Sequence, residues 1–569
     1  MLLESVMHHW AAWSAGGVAA LLLMTFLATS LQSMRAMRDS SALCSPPIHP
    51  YWIPFLGHTV EFVRDTGGFV DRISHRYGKN IPIHVVLGPV RGYILSGTES
   101  ISALLRATRS VSPKPFMALV MQNMFGTPDR AMPLYLNDDS GTGPTPISGT
   151  NVRPELRIYH HQHLQAHRFL TGEALRRLTE RFMETLSGDL HTDTTIGADQ
   201  WVEGPDFFVF WKNCIFRAAV KALFGSHLLS LNPSFEVDFW EYVDATPTLA
   251  KGVPKWLVPK AYAARDRVIA AIKRWHRFAA AHSDYRENGS DKPDWDEYWG
   301  SSWLKSRQQF GRDTGILDDD ALASEDLALM IDYLTDPFSA RANANAILAA
   351  VWFLLHIHSD ADLDRRLQPE LERGLRLPRS SDSPLQFDLA TLMESPLIQS
   401  IYAEVLRLRV ALVINRTPVR SDFRLGRWTV PRDRFIVFST QVAAQDPQAW
   451  GPERTQHGTR PLDQFWADRF LTPDEKAKEG QKRQFSLDGL SGAWIPYGGG
   501  SFMCPGRHFA KQEMIGSVAV FQAYFELELR DREPGHVPEP DEHFYGVGVM
   551  PPKGEIPFRI RRRRGVIRT

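Results

Sequence analysis

From Val6 to Met34 the chain carries no Asp, Glu, Lys or Arg. No other feature limits the architecture as much. The apolar part of this run, Trp10–Leu31, is 22 residues long. At helical rise that is about 33 Å, enough to cross the hydrocarbon core of a bilayer. Glu4 precedes the run, whereas Arg35 and Arg38 follow it. Positive charge on the C-terminal side places the bulk of the chain on the cytosolic face. A cleaved signal peptide would have a shorter apolar region with positive charge in front of it, so the expectation is a retained, single-pass anchor. The later apolar run AILAAVWFLL, residues 346–355, is too short to span and is predicted to be a buried core helix.

Behind the anchor, Pro46, Pro47, Pro50 and Pro54 fall within nine positions. Repeated fixing of φ and loss of amide donors make this stretch a stiff, extended spacer. The expected organisation is a membrane anchor over 1–34, a proline-rich hinge over 35–57 and a catalytic body over 58–569. The body reads as mainly α with a minor β region. Helical spacing of apolar residues marks 155–224, 255–282 and 396–410, and residues 80–97 and 412–440 read as short strands. A charged loop is expected over 472–492, and a last helix after Pro505.

With 65 Lys+Arg against 65 Asp+Glu the chain has no formal net charge, which argues against nucleic acid as a partner. Cys44, Cys214 and Cys504 are the three cysteines, too few for a disulfide framework and suited to a reducing compartment. Cys44 and Cys214 read as inert.

Cys504 stands in YGGGSFMCPGRHFAKQEM. Gly498, Gly499 and Gly500 allow unusual φ values and a close backbone approach. HFAKQEM is helical in composition, so Cys504 lies at a helix N-terminus, where amides and the dipole favour thiolate. That arrangement suits a soft metal ligand. A phosphate loop would end in Gly-Lys-Ser/Thr, which is absent. A nucleophilic cysteine needs a His base, and His508, four residues on, would face away. A buried structural cysteine is the remaining alternative.

The stretch Tyr497–Gly506 resembles the haem-binding signature of the cytochrome P450 superfamily, F-G-x-G-x-R-x-C-x-G, with Gly498, Gly500, Cys504 and Gly506 in place. Tyr497 stands where Phe is usual, and Phe502 where a basic residue often meets a haem propionate. Glu404-Val-Leu-Arg407 fits the family's E-x-x-R pair, and Phe465-Trp-Ala-Asp-Arg469-Phe resembles the later segment whose Arg closes a buried triad with it. Leu164-Gln-Ala-His-Arg168 matches the W-x-x-x-R helix with Leu for Trp. Arg168, Arg416 and Arg420 are the candidates to contact a propionate. The resemblance spans residues 45–564 in the family's order.

Most members carry A/G-G-x-D/E-T in the central helix, whereas this chain reads FSARANANAILAAVWFLL. Alignment on Trp352 places Asn345 at the threonine and Ala344 at the acid. Ala340, Ala342, Ala344 and Ala346 remove bulk, so a flat macrocycle could pack close. Asn345 is therefore the candidate residue at the oxygen or substrate site. Asn for Thr, with the downstream Trp, is similar to the sterol 7α-/12α-hydroxylase and prostacyclin-synthase branch and its fungal relatives. That branch holds both oxygen-activating hydroxylases and a peroxide isomerase.

The resemblance implies haem b (iron protoporphyrin IX) with Cys504 as axial ligand. It also implies electrons from NADPH through a cytochrome P450 reductase, and a lipophilic substrate such as a sterol, terpenoid or other secondary metabolite. The implied location is the endoplasmic reticulum membrane, with the catalytic domain cytosolic. The alternatives are a haem-thiolate isomerase or dehydratase needing no external electrons, and a non-catalytic haem-binding membrane protein. Arg507, His508 and Lys511 are a candidate docking patch for an acidic partner, with a solvated face as the equal alternative. His160, His161, His163 and His167 read as surface histidines, because no zinc motif forms around them. The run RIRRRRG (559–565) is a candidate contact with anionic lipid.

Overall fold

The uncharged run folds as helix Leu2–Arg38. The computed structural model describes residues 2–41, 43–108, 110–286, 295–332, 343–376, 383–473, 483–530 and 535–564. From Ala15 to Arg38 this helix is almost wholly exposed and is long and apolar enough to cross a membrane. Two of its hydroxyls are satisfied within the helix: Thr25 donates to the Leu21 carbonyl and Thr29 to the Thr25 carbonyl, each at 2.8 Å. Such back-bonding is what a hydroxyl requires where water is absent. Toward its end the helix is docked. Phe26 stacks on Trp52 with centroids 4.2 Å apart, and the Tyr51 N–H donates to Thr29 Oγ1 at 3.3 Å.

Two units are distinguished. The first comprises residues 1–113, 413–449 and 490–495; the second comprises 114–412, 450–489 and 496–569. In the first, the proline segment is extended, as its fixed φ values dictate, and it is also docked. The Pro47 carbonyl accepts from the His84 N–H, and the His84 carbonyl accepts from the His49 N–H, each at 2.9 Å. Strands Ile83–Leu87 and Val90–Ile94 form an antiparallel hairpin, and Val90–Ile94 pairs in parallel with Phe435–Ser439. Phe69, Val70 and Ile73 of helix Thr66–Tyr77 pack on Ile83, Val85 and Ile94 to make this unit's core.

The second unit is mainly helical. Its central helix, Asn343–His358, is fully buried from Ala349 to Leu355, as expected of a helix apolar on all sides within a protein core. Helices Arg507–Tyr524, Pro396–Arg409 and Phe207–Phe224 pack around it. Ala340, Ala342 and the side chain of Ala344 lie outside the described residues, as do 474–482 of the expected charged loop.

The C-terminal arginine run is not a free basic tail. Phe558–Arg562 is a strand paired with Phe525–Leu529, so its side chains alternate between two faces. Arg559 and Arg561 face outward and pair with Glu528 and Glu526. Arg562 is buried and donates to the Ile196 carbonyl at 2.7 Å. Gly565 and the residues after it lie outside the described residues.

One buried charge network ties several helices together. Arg307 pairs with Asp326 at 2.9 Å and with Glu325 at 3.2 Å. His276 meets Asp326 at 2.8 Å, Gln162 donates to Glu325 at 2.8 Å, and Tyr135 also donates to Glu325. Burial pushes the Glu325 carboxyl up. For Asp326 burial acts in the same direction, but hydrogen bonds from His276 and Arg307 overcome it and hold the carboxyl below its usual range. Removing one member of such a network strands the others in a low dielectric. Arg307→Met should therefore cost about 3–5 kcal/mol in denaturant unfolding of the full chain. Arg307→Met combined with Asp326→Leu and Glu325→Leu should recover part of that loss, because the uncompensated charges are gone.

Candidate active site

The cysteine loop is shaped by two backbone turns that glycine alone adopts readily. Gly498 has φ 72° and Gly500 φ 70°, in the left-handed region closed to most side chains. Between them and the helix, the Cys504 N–H donates to the Tyr497 carbonyl at 3.0 Å and closes the loop. Cys504 is fully buried and forms no disulfide. Helix Arg507–Tyr524 begins three residues later, so the thiol lies at the positive end of the helix dipole. Arg507 Nη1 donates to the Cys504 carbonyl at 3.0 Å, and Lys511 donates to Gln399 at 2.9 Å. Two members of the expected docking patch are thus turned to protein partners, and only His508 is exposed.

Tyr497 meets Tyr402 hydroxyl to hydroxyl at 2.6 Å, and burial pushes both phenols up. Tyr402 lies on helix Pro396–Arg409 with Glu404 and Arg407. Sequence reading missed it, because a tyrosine in an amphipathic helix gives no signal of its partner.

Glu404 is fully buried. Its carboxylate accepts from Arg407 Nε at 2.6 Å, from Arg469 Nε at 2.9 Å and from the Trp466 N–H at 2.9 Å. Arg407 Nη2 also donates to the carboxylate, at 2.9 Å, and further guanidinium hydrogens go to backbone. Arg407 donates to the Leu462 and Gln464 carbonyls. Arg469 donates to those of Arg454, Arg460, Pro461 and Gln464. Burial raises the Glu404 pKa, but Arg407 and Arg469 outweigh it and hold the carboxyl below its ordinary value.

Asn345 lies in the first turn of the central helix, and its Oδ1 accepts the Val549 N–H at 2.7 Å. A narrow cleft is lined by Asn345, Ala346 and Ala349 from this helix, Tyr497 from the cysteine loop, and Ala510 and Met514 from the cysteine helix. The structure therefore brings Asn345, Tyr497 and the cysteine helix to one place. Arg168 is not part of such a grouping. It is exposed at the end of helix Ile158–Phe169, with its guanidinium 5.6 Å from the Phe169 ring, and Leu164 is also exposed. Arg416 is buried in strand Val410–Pro418 and donates to the Asn415 carbonyl at 2.8 Å, whereas Arg420 is exposed. Phe502 packs on an apolar cluster containing Met117, Met132, Tyr135 and Leu322, which accounts for an aromatic side chain at that position. His160 and His161 are satisfied by the Thr142 and Pro154 carbonyls.

The carboxylate is the hub of the triad, so Glu404→Gln should cost about 3–5 kcal/mol. It should also speed amide exchange across residues 454–470, the segment that Arg469 and Arg407 hold. Because the folded pKa of Glu404 is depressed, its stabilisation is present above the unfolded carboxylate value and is lost as pH falls through the folded one. The difference in stability between wild type and Glu404→Gln should therefore shrink on acidification.

Residues 344–558 match the family model described as Cytochrome P450. The chain is 36% identical to cytochrome P450 monooxygenase efuG of Hormonema carpetanum over 97% of each chain. It is 34% identical to cytochrome P450 monooxygenase fsoE of Humicola fuscoatra, over 94% of this chain and 92% of that one. More distant relatives include rat prostacyclin synthase, 25% identical over 91% of this chain and 94% of that one. Cytochrome P450 7A1 of Oryctolagus cuniculus is likewise 25% identical, over 91% and 93%. These two stand in the branch expected from Asn345 and Trp352. Similarity over nearly the whole chain leaves one assignment: the chain belongs to the cytochrome P450 family and is a P450 monooxygenase.

Proposed function

We propose that this enzyme is a membrane-anchored haem-thiolate monooxygenase that oxidises a lipophilic small molecule of the sterol, terpenoid or other secondary-metabolite class. The observation that carries this reading is Cys504, a buried thiol at a helix N-terminus, in a loop whose Tyr497 borders the cleft under Asn345. The family's cofactor is haem. The donor set suits it: one soft thiol with no disulfide, and a cleft walled by alanine, methionine and tyrosine. Haem b would be held by Cys504, with Gly498, Gly500 and Tyr497 shaping the loop. When bound, haem with thiolate donation activates dioxygen, so that one oxygen atom enters a substrate C–H bond and the other leaves as water, at the expense of two electrons and two protons.

The protein's own residues set the conditions for that chemistry. The place of Cys504 just ahead of helix Arg507–Tyr524 favours the thiolate form of a ligand sulfur. Apolar walls exclude water from the cleft. Asn345 supplies a polar group where the threonine of other members would stand. Glu404, Arg407 and Arg469 hold the supporting segment in one arrangement. Electrons would come from NADPH through a cytochrome P450 reductase at the endoplasmic reticulum membrane. Helix Leu2–Arg38, with Arg35 and Arg38 in its last turn, supports a single-pass anchor with a cytosolic body.

A second reading, a haem-thiolate isomerase or dehydratase, rests on the similarity to prostacyclin synthase; Asn345 is compatible with both readings. Reductase dependence separates the two. The full chain, reconstituted with reductase and supplied with extract of a producing strain, should consume NADPH and form a product one oxygen heavier. Turnover of a peroxide substrate that persists without NADPH would establish the second reading instead. Cys504→Ser should abolish the red-shifted Soret band of the reduced carbon monoxide complex, whereas Cys44→Ser and Cys214→Ser should retain it.

A further inference from the structure

A second cleft lies among elements of the second unit, and none of its lining residues borders the cleft beneath Asn345. Its volume is about 280 Å³, close to the lower end of small-molecule sites. One wall is a face of helix Gly172–Thr192, where Ala174, Arg177, Leu178 and Arg181 recur at helical spacing. The floor is Ala222 and Leu223 of helix Phe207–Phe224, both buried. The facing wall is a short hairpin, Trp295–Asp296 paired with Gly300–Ser301, which runs into helix Ser302–Asp313.

The hairpin is held where it stands. The Asp296 carboxylate accepts the Tyr298 and Trp299 N–H groups at 2.9 and 2.8 Å and pairs with Lys305 at 2.9 Å. Gly300 has φ +76°, and a Cβ there would lie 2.5 Å from the Leu223 carbonyl oxygen. Glycine therefore lets this wall meet the floor.

Charge in the cleft is unevenly answered. Arg177 pairs with Glu173 at 3.0 Å, and Glu180 pairs with Arg176. Arg181 is half-buried, and its guanidinium lies 3.8 Å from the centre of the Trp295 ring. Among the described residues that guanidinium forms no hydrogen bond or ion pair. Burial lowers the Arg181 pKa, and only the field of Glu184 opposes it. A guanidinium stacked on a ring keeps its in-plane N–H groups at the edge, where their fork matches a carboxylate. On the facing wall, Trp303 Nε1 and Ser301 Oγ are buried with no partner among the described residues, and an indole N–H can only donate. The remaining surface is apolar. Phe169 stacks on Trp303 with centroids 6.2 Å apart, beside Leu178 and Leu223. Glu180 and Glu184 also line the cleft and are exposed, which disfavours a ligand of more than one negative charge.

We propose that this cleft is an accessory binding site for a small monocarboxylate carried on an apolar ring or short chain. The carboxylate meets the edge of the Arg181 guanidinium, with Trp303 and Ser301 as further donors. The apolar body rests among Phe169, Leu178 and Leu223. The site stands independently of the function proposed above.

Saturation-transfer NMR of benzoate on the full chain tests it, with clotrimazole present to occupy the haem site and with benzylamine and inorganic phosphate as competitors. Benzoate should bind saturably, and neither competitor should displace it at equal concentration. Affinity should fall about tenfold in Arg181→Gln, which loses a charge-assisted pair. It should be intermediate in Arg181→Lys, which keeps the charge without the fork. Ser301→Ala and Trp303→Phe should each weaken binding about threefold. Should Trp303→Phe fail to fold, the Arg181 and Ser301 variants still decide the matter. Absence of saturable benzoate binding, equal displacement by benzylamine or phosphate, or an affinity unchanged in Arg181→Gln overturns the site. A chain that forms no carbon monoxide complex overturns the proposed function instead, while the Arg181 variants still decide this site.

Discussion

A single buried carboxylate, Glu404, carries an unusual share of this structure. It takes two guanidinium groups into a core where neither has access to water. Two cations on one anion leave a surplus positive charge. The structure disperses that charge over backbone carbonyls from Arg454 to Gln464. In a low dielectric such an arrangement is tolerable only when every donor has an acceptor. Residues 454–470 are mostly irregular, with little ladder hydrogen bonding of their own, so the two arginines supply the order that secondary structure supplies elsewhere.

That order reaches the cysteine through one helix. Glu404 and Arg407 fix the register of Pro396–Arg409, and Tyr402 on the same helix meets Tyr497. Tyr497 in turn closes the cysteine loop through its carbonyl. Across the cleft, the central helix is pinned to the C-terminal strand by Asn345 and Trp352. Both walls are therefore held by buried polar contacts, while alanine and methionine line the space between them. The rigidity lies beside the cleft, whose lining is mostly apolar. Such a division suits chemistry whose outcome depends on where a substrate C–H bond comes to rest.

Much of this was legible in the sequence, for identifiable reasons. The long apolar helix is written as an uncharged run, the cysteine loop as glycines at fixed offsets, and the triad as a resemblance to the family's E-x-x-R pair and its later arginine segment. The central helix was legible because an apolar run of ten is too short to span a bilayer. Other features were not legible, because they depend on tertiary partners. The arginine run looked like a lipid-binding tail. It is a strand whose alternate residues meet Glu526 and Glu528 or enter the core. Phe502 registered only as a missing cation until its apolar cluster came into view. Arg168, drawn from a motif lacking its tryptophan, proved to be exposed. Gly548 gave no sign of the room it leaves, since Asn345, whose amide a Cβ there would meet, lies some two hundred positions earlier.

The central claim is that Cys504, among three cysteines, binds the haem iron through sulfur. Iron-edge X-ray absorption of the full-length holoenzyme tests it most directly. One sulfur neighbour of iron is predicted in wild type, Cys44→Ser and Cys214→Ser, and none in Cys504→Ser. A sulfur neighbour that survives Cys504→Ser, or is absent from wild type, would contradict the account.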